Sequence, residues 1–173
     1  MLVIIQARSN SKRFHNKVLA DIYGRPLIYH VVKRVQKTKN KIKLLVGSSK
    51  NKSDDKLISY LKKEKIDFYR GDLHNVADRM CKIAEKNKSK YFLRISGDSP
   101  LIKSRIIDKA INIFRRNNIY DVITNVFPRS YPKGQSVEII KTSILKKNLK
   151  FMNKTEKEHV TKYFYLIQIN LKY

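Results

Sequence analysis

Short apolar runs alternate along the chain with longer segments in which apolar residues recur at helical spacing. Such runs, rich in β-branched and aromatic side chains, predict strands. The predicted strands are Leu2–Gln6, Leu44–Val46, Phe68–Tyr69, Tyr91–Ile95, Asp121–Thr124 and Val137–Ile140. Alternating strands and helices predict an α/β fold in which a mostly parallel sheet carries helices on both faces. Because such sheets bind ligands at the carboxyl ends of their strands, function is expected in the loops that follow strands.

Four predicted helices begin at recognisable start signals. Pro26 suits a first helical position, where its missing N–H is not needed. Ser53, Asn75 and Ser104 are plausible N-caps, because their side-chain oxygens can accept a backbone N–H of the first turn. The apolar face of the first helix comprises Leu27, Ile28, Val31, Val32 and Val35. This spacing predicts that the helix packs one face against the sheet.

The length of 173 residues suits a single domain, 1–173, and a hydrophobic content of 42% suffices for a core. No run approaches the roughly 20 apolar residues of a membrane helix, and the run after Met1 stops at Ile5. Neither a signal peptide nor a membrane anchor is therefore predicted. Cys81 is the one cysteine, which excludes an internal disulfide and a cysteine metal cluster. We expect a cytoplasmic protein.

The formal net charge of +25 is the most conspicuous compositional feature. Clustered Lys and Arg bind nucleic acid, so a polyanionic partner is one interpretation. The lysines are instead spread along the whole chain, together with abundant Asn and Ile, as AT-rich codons would produce. No single basic block or recognised nucleic-acid motif is present, so nucleic acid is not the partner that the sequence favours.

The first loop, residues 6–17, reads Gln-Ala-Arg-Ser-Asn-Ser-Lys-Arg-Phe-His-Asn-Lys. It packs four cations and two hydroxyls into one connection from strand to helix. Guanidinium groups bind two phosphate oxygens each, lysine supplies a point charge, and turn amides close around the remaining oxygens. The glycines of a Walker loop or a dinucleotide fingerprint are absent. The loop predicts triphosphate binding, although a solvated surface loop of a lysine-rich chain has the same composition.

The spacing within the loop decides between these two interpretations. It reads Ala7-Arg8-x-x-Ser11-x-Arg13-x-x-x-Lys17, followed by Asp21-Ile22-x-Gly24-x-Pro26-Leu27. This pattern resembles the opening of the CMP-sugar cytidylyltransferases. The resemblance is closest to the branch of spore-coat polysaccharide cytidylyltransferase-like proteins, which is related to the CMP-KDO and CMP-acylneuraminate synthetases.

In that family the Arg and Lys residues of the loop hold CTP. The resemblance implies a nucleotide-binding role for Ala7, Arg8, Ser11, Arg13 and Lys17, and a catalytic role for Arg8 and Lys17. The chain departs from the family at three positions, where Asn10 replaces Gly, Phe14 replaces Leu and His15 replaces Pro. Asn tolerates positive φ, so the first exchange is compatible with the turn.

A second motif follows the strand Tyr91–Ile95 and reads Ser96-Gly97-Asp98-Ser99-Pro100-Leu101-Ile102. From spacing alone, Asp98 either caps the turn before Pro100 or holds Mg²⁺, which prefers oxygen ligands at about 2.1 Å and bridges carboxylates to phosphates. Gly-Asp-x-Pro-Leu-Ile resembles the metal-binding signature of the family. The resemblance implies that Asp98 is a catalytic metal ligand and that Gly97 lies at the nucleotide.

Three further segments extend the resemblance: residues 69–79, residues 129–132 and residues 156–161. They imply that Arg70 contacts the nucleotide and that a sugar-side group comprises Asp78, Arg79, Arg129, Glu158 and His159. Other interpretations stay open for some of these residues. Asp78 and Arg79 also fit an ordinary helix-surface pair, and Glu158-His159 fits a helix start or cap. Ser136 stands where the family has Asp.

The resemblance implies a Rossmann-like nucleotide-diphospho-sugar transferase fold and transfer of CMP from CTP to an acidic sugar of KDO or nonulosonate type, for surface polysaccharide. It also implies Mg²⁺ and a homodimer. Relatives carry a second metal carboxylate in an Asp-x-Pro-Glu-Asp-like segment, which these 173 residues do not contain, so the domain is expected to lack the usual C-terminal segment. Two alternatives remain: an inactive homologue that binds nucleotide or a partner, and a basic nucleic-acid-binding module.

Overall fold

The computed structural model describes residues 1–9, 14, 16–117 and 119–166, and the backbone of 171–172. The strands are β1 (Leu2–Gln6), β2 (Asp21–Ile22), β3 (Arg25–Pro26), β4 (Lys43–Ser49), β5 (Phe68–Gly71), β6 (Tyr91–Ser96), β7 (Val122–Thr124), β8 (Glu138–Lys141) and β9 (Leu171–Lys172). The α-helices are α1 (Leu27–Gln36), α2 (Asp55–Lys63), α3 (Val76–Lys86), α4 (Ser104–Arg116), α5 (Thr142–Asn148), α6 (Lys154–His159) and α7 (Lys162–Leu166).

Seven strands form the main sheet in the order β5-β4-β1-β6-β8-β7-β9, and β2 pairs with β3 in a short hairpin. Strands β5, β4, β1 and β6 are mutually parallel, as predicted. β8 departs from strict alternation because it runs antiparallel to both β6 and β7. The chain enters β8 directly from β7 through a loop with no helical crossover, which an antiparallel neighbour permits. The predicted mostly parallel α/β sheet is confirmed.

Apolar side chains of β1 alternate between the two faces of the sheet, as a strand of period two dictates. Val3 and Ile5 pack into one core with residues of α1, α2 and α4. Leu2 and Ile4 pack into the other core with residues of α3 and α5. Helices therefore cover both faces and exclude water from the central strand, while its carboxyl end stays at the edge of the sheet.

The helix starts differ from the sequence prediction at three of four positions. Asn75 caps α3 as predicted and accepts the amide of Asp78 at 3.0 Å. Pro26 lies in β3 and occupies the N-cap position directly before α1, so it is not the first helical residue. Ser53 lies inside a 3₁₀ helix, Lys52–Asp54, and Ser104 is the first residue of α4. A start signal thus locates a helix to within one or two residues only.

The segment after β8 is helical, which the apolar pattern does not predict. α5 is followed by a 3₁₀ turn (Leu149–Phe151), α6 and α7. Asn153 and Glu156 form a capping box at the start of α6, in which each side chain accepts the backbone N–H of the other residue. In the described part of the chain, no helix is long and apolar enough to cross a membrane.

Candidate active site

The carboxyl ends of the four parallel strands meet at one edge of the sheet. β1 ends at Gln6, β4 at Ser49, β5 at Gly71 and β6 at Ser96. The register pairs Gln6 with both Gly47 and Ser96, so the loops that leave β1, β4 and β6 begin side by side. The two motifs singled out in the sequence are therefore neighbours in the fold.

Lys17 and Asp98 form an ion pair between these two loops. The Lys17 ammonium donates to Asp98 Oδ2 at 2.8 Å, and the Ser96 hydroxyl donates to Oδ1 at 2.7 Å. Both charged side chains are about half exposed, so solvent or a ligand can reach them. Lys17, which is predicted to bind the triphosphate, thus contacts Asp98, which is predicted to bind the metal.

Asp98 is ionised at neutral pH. Partial burial raises the pKa of its carboxyl, but the hydrogen bonds from Lys17 and Ser96 outweigh burial and hold the pKa below its usual value. A half-exposed carboxylate beside a cation that is predicted to bind phosphate suits Mg²⁺, which takes one or two protein carboxylates and completes its shell with phosphate and water oxygens. Among the described residues, no group of three or more His, Cys, Asp or Glu side chains forms a complete cage for a metal ion.

Gly97 permits the close approach of the two loops. Its amide donates to the carbonyl of Gln6 at 2.7 Å. A Cβ at Gly97 would lie 2.7 Å from the Cβ of Ala7 and 2.8 Å from the Gln6 carbonyl oxygen. Ala7 is itself buried and donates its amide to Gly47 at 3.2 Å. These two predicted nucleotide-binding residues therefore pack the loops together, whatever contacts they make to a ligand.

Arg8 pairs with Glu158, which lies 150 residues away in the chain. Glu158 is on the last turn of α6, so α6 brings its carboxylate over the start of the first loop. His159 ends the same helix and is exposed, and Val160 then turns the chain with a φ of 42°. The structure thus brings Arg8, predicted for the nucleotide, together with Glu158, predicted for the sugar side.

The Arg70 side chain is held by protein acceptors. Its Nε donates to the carbonyl of Ser49 at 2.8 Å, and Nη2 donates to the carbonyl of Asn51 at 2.9 Å and to Asp55 at 2.7 Å. Arg70 therefore fixes the connection from β4 to α2. The structure places this predicted nucleotide ligand at the edge of the sheet, with its guanidinium directed to that connection.

Asp78 and Arg79 have different environments although they are adjacent on α3. Asp78 pairs with Lys82 at 2.8 Å on the helix surface. Arg79 is fully buried, its stem packs against Gly71, and Nη1 donates to the carbonyl of Asp72 at 2.8 Å. Burial lowers the pKa of Arg79 to about 10, which leaves the guanidinium charged at neutral pH. The surface-pair interpretation fits Asp78 and fails for Arg79.

The remaining predicted residues lie in two places. Arg129 donates to the hydroxyl of Ser136 at 3.4 Å, across the loop that joins β7 to β8. Ser136 stands where the family has Asp, so Arg129 has a neutral partner at this position. Ser11 and Arg13 lie outside the described residues, as do Asn10 and His15.

Sequence reasoning missed two buried carboxylates at this edge. Asp54 accepts the Ser9 amide, and its sequence signal, a Ser-Asp-Asp run, suggested only a helix start. Glu138 lies at the start of β8 and pairs with Arg94 opposite it in β6. A carboxylate within an otherwise apolar strand was the available signal for Glu138, because such a residue must find partners when the strand is buried.

Glu138 connects the sheet to the helical segment that carries Glu158. Its Oε1 accepts the hydroxyls of Thr161 and Tyr165, while its Oε2 accepts from Arg94. Burial and the Glu138 charge raise the pKa of Tyr165 well above its usual value, so this phenol remains a donor. This buried polar network therefore fixes the helical segment that carries Glu158, the partner of Arg8.

Comparison with known proteins gives matches over nearly the whole chain. The family model described as cytidylyltransferase matches residues 2–173. An uncharacterized protein of Methanocaldococcus jannaschii is 30% identical over 163 residues, 94% of this chain and 65% of that protein. The spore coat polysaccharide biosynthesis protein SpsF of Bacillus subtilis is 29% identical over 94% of this chain and 69% of its own. The 3-deoxy-manno-octulosonate cytidylyltransferase of Geobacter sulfurreducens is 30% identical over 62% of this chain and 42% of its own.

Solved structures match the same fold. A cytidylyltransferase from Leptospira borgpetersenii superposes with a TM-score of 0.91 at 25% identity, covering 98% of this chain and 73% of the other. A CMP:2-keto-3-deoxy-manno-octonic acid synthetase complexed with CTP gives a TM-score of 0.75 at 18% identity, covering 99% and 87%. The predicted Rossmann-like nucleotidyltransferase fold is therefore confirmed. The chain spans between two fifths and seven tenths of the length of these three curated relatives.

Proposed function

This chain belongs to the cytidylyltransferase family, and we propose that it transfers CMP from CTP to an acidic sugar with release of pyrophosphate. The observation that carries the proposal is the Lys17–Asp98 pair, which joins a phosphate-binding cation to a metal-binding carboxylate at the carboxyl edge of the sheet. The proposed site residues are those that the sequence identified: Ala7, Arg8, Ser11, Arg13, Lys17, Arg70 and Gly97 for the nucleotide, Asp98 for the metal, and Asp78, Arg79, Arg129, Glu158 and His159 for the sugar side.

The proposed acceptor is a KDO-like or nonulosonate sugar destined for surface polysaccharide. Support comes from the names of two relatives, one a spore coat polysaccharide biosynthesis protein and the other a 3-deoxy-manno-octulosonate cytidylyltransferase. A sugar carboxylate also has cations available nearby, since Arg129 is exposed at the loop between β7 and β8.

The reaction follows from alignment and charge. A hydroxyl of the sugar attacks the α-phosphorus of CTP and gives up its proton to solvent, the bond from that phosphorus to the bridging oxygen breaks, and pyrophosphate leaves with the electron pair. Arg8 and Lys17 bind phosphate oxygens and offset the negative charge that develops on the leaving group. Asp98 would hold Mg²⁺, which would supply further Lewis-acid stabilisation of that charge.

Binding requires Arg8 and Lys17 to exchange partners. Arg8 is paired with Glu158 and Lys17 with Asp98. A triphosphate supplies more negative charge than either carboxylate and would displace both contacts, which would leave Asp98 free to hold Mg²⁺. The two ion pairs hold each side chain near its proposed binding position and reduce the cost of ordering it on binding.

The direct test incubates the chain with CTP, Mg²⁺ and a panel of acidic sugars and measures pyrophosphate. Release with one or more sugars is expected, together with a loss of at least a hundredfold in Asp98→Ala. Glu85→Ala is the matched control, because Glu85 is an exposed carboxylate paired with Lys146 on the α3 surface. No release with any sugar, or equal release from Asp98→Ala, would refute the catalytic proposal.

Binding measurements separate the two alternatives. Tight CTP binding without pyrophosphate release would identify a homologue that binds nucleotide but does not turn it over. Affinity for duplex or single-stranded DNA that falls steeply and uniformly with salt would reflect nonspecific charge. We further propose that the chain is one domain and a homodimer, which light scattering on the intact chain tests.

A further inference from the structure

A backbone hydrogen bond between Ser9 and Asn16 closes the base of the first loop, and we call this pair the neck of the loop. The Ser9 carbonyl oxygen accepts the backbone amide of Asn16 at 3.0 Å, so the chain returns to its starting point after seven residues. Arg8 immediately precedes this neck and Lys17 immediately follows it. The backbone at Ser9 therefore sets the position of Arg8 and Lys17, the two cations that the proposed reaction places on phosphate oxygens.

The other backbone group of Ser9 is bound to Asp54. The Ser9 amide donates to Oδ1 of Asp54 at 2.6 Å, and both residues are fully buried. Asp54 precedes α2, so a carboxylate from the connection between β4 and α2 holds a loop that begins at β1. Through this hydrogen bond the segment that follows β4 fixes the neck.

Asp54 is itself held rigidly by the end of β4. Its Oδ2 accepts the Ser48 hydroxyl at 3.1 Å, the Ser49 amide at 3.0 Å and the Ser49 hydroxyl. With the Ser9 amide this makes four donors on one buried carboxylate. Such a group has fixed geometry, because every donor would be left unsatisfied if the carboxylate moved.

We propose that Asp54 is a positioning residue of the triphosphate site, which acts by fixing the neck of the loop at Ser9. The inference rests on the proposed CTP-binding function. It assigns a role in nucleotide affinity to a side chain that is too deeply buried to touch the nucleotide.

The charge of Asp54 has the wrong sign for a direct electrostatic role. A carboxylate near a triphosphate site opposes an anionic ligand, so its removal by itself should strengthen binding. Arg79 offsets part of this charge: it is buried on the same edge of the sheet, and Asp54 is among the groups whose negative charge acts on it. Positioning and electrostatics therefore predict opposite effects of the same substitution.

The test compares Asp54→Asn with Ser48→Ala. Asparagine keeps the size of the side chain but offers a single carbonyl oxygen to four donors, so the Ser9 contact is weakened. Ser48→Ala removes one donor to Asp54 and leaves Ser9 untouched. Calorimetry gives the affinities for CTP and for CMP, because CMP lacks the β- and γ-phosphates that the flanking cations bind.

Asp54→Asn is expected to weaken CTP binding about tenfold, equivalent to about 1.4 kcal/mol, and CMP binding less than twofold. Ser48→Ala should leave the CTP-to-CMP affinity ratio unchanged. An unchanged or higher ratio in Asp54→Asn would overturn the proposal. If the wild-type chain does not prefer CTP to CMP, the proposed function fails, and hydrogen exchange alone decides the role of Asp54.

Hydrogen exchange measures the neck directly and requires no nucleotide. The amides of Ser9 and Asn16 should both be protected, because each donates within the neck. In Asp54→Asn both should exchange more than tenfold faster, and in Ser48→Ala neither should. Wild-type exchange at Ser9 as fast as in an exposed loop would contradict the inference even if Asp54→Asn failed to fold.

Discussion

The Lys17 ammonium lies 2.8 Å from Oδ2 of Asp98, although 81 residues separate the two positions in the chain. The contact joins the loop after β1 to the loop after β6, and it exists because those strands are parallel neighbours with aligned carboxyl ends. A change at either residue of this pair therefore affects both the proposed triphosphate loop and the proposed metal loop. The contact also makes the site sensitive to whether a metal is present.

Asp98→Asn should separate binding from turnover. In metal-free buffer we expect this variant to bind CTP a few times more tightly than wild type, because Lys17 loses its competitor and one negative charge disappears. With Mg²⁺ and sugar, pyrophosphate release should fall at least a hundredfold. Calorimetry with a chelator, followed by a pyrophosphate assay, measures both. Weaker metal-free binding in the variant would contradict competition for Lys17.

The same carboxylate should contribute to acid sensitivity. The pKa of Asp98 is lower in the folded chain than its ordinary value of 3.8, so its ionised form stabilises the fold above about pH 4. That contribution is lost as the pH falls through the folded pKa. The melting temperature of wild type should exceed that of Asp98→Asn at pH 6, and the difference should shrink towards pH 3. The effect should be small, since solvent screens a half-exposed pair.

Gly97→Ala should damage the site through packing. The added Cβ would meet the Cβ of Ala7 at 2.7 Å and the backbone oxygen of Gln6 at 2.8 Å, and backbone cannot swing aside. Overpacking of this kind costs about 1–3 kcal/mol, measurable by denaturant unfolding. CTP affinity should fall with it, because the Asp98 loop is pushed away from the first loop.

A second substitution tests the cause. Ala7→Gly removes the 2.7 Å contact and leaves the contact to the Gln6 oxygen, so the double variant should recover part of the stability that Gly97→Ala loses. No recovery would show that the Ala7 side chain is not the obstacle.

Glu138→Gln should destabilise the chain strongly, because Glu138 is a buried carboxylate. The substitution leaves the Arg94 guanidinium without its charged partner, and Thr161 and Tyr165 lose a charged acceptor. Removing one member of a buried pair costs about 3–5 kcal/mol. Urea unfolding measures the loss, and Glu85→Gln, at an exposed pair, should change stability by less than about 1 kcal/mol. Equal effects of the two substitutions would contradict the importance of the network.

The sequence predicted those features that depend on local pattern. β1 has the predicted bounds, and the predicted strands at β4, β5 and β6 are each extended by one to four residues. The position of the Lys17 and Asp98 loops at the carboxyl edge also follows from the predicted parallel sheet, whereas the contact between the two side chains was not predicted. These successes share one cause: apolar periodicity and strand order fix which loops share an edge.

The features that sequence reasoning missed depend on contacts between distant segments. Asp54 looked like part of a helix start because its partner Ser9 is 45 residues away. A helix-surface pair with Asp78 was one interpretation of Arg79, whereas the close packing of Gly71 encloses its stem. The apolar residues one turn away on either side, Val76 and Ile83, were a local signal for burial that this interpretation overlooked.

Because β8 runs antiparallel to its neighbours, two kinds of loop meet at this edge of the sheet: loops that follow a strand and the loop that precedes β8. The parallel strands β1, β4, β5 and β6 end at this edge, and the loops that follow them carry most of the proposed nucleotide residues. β8 instead begins at this edge, so the loop of residues 125–137 leads into the sheet here. Gln135 ties this loop to the loop after β6, because its side chain accepts the Lys103 amide at 3.0 Å and donates to the Leu101 carbonyl at 2.7 Å. Between residues 126 and 134 the loop can change length or composition without altering the pairing of β1, β4, β5 and β6. We therefore expect acceptor preference in this fold to vary through that loop while CTP recognition stays constant.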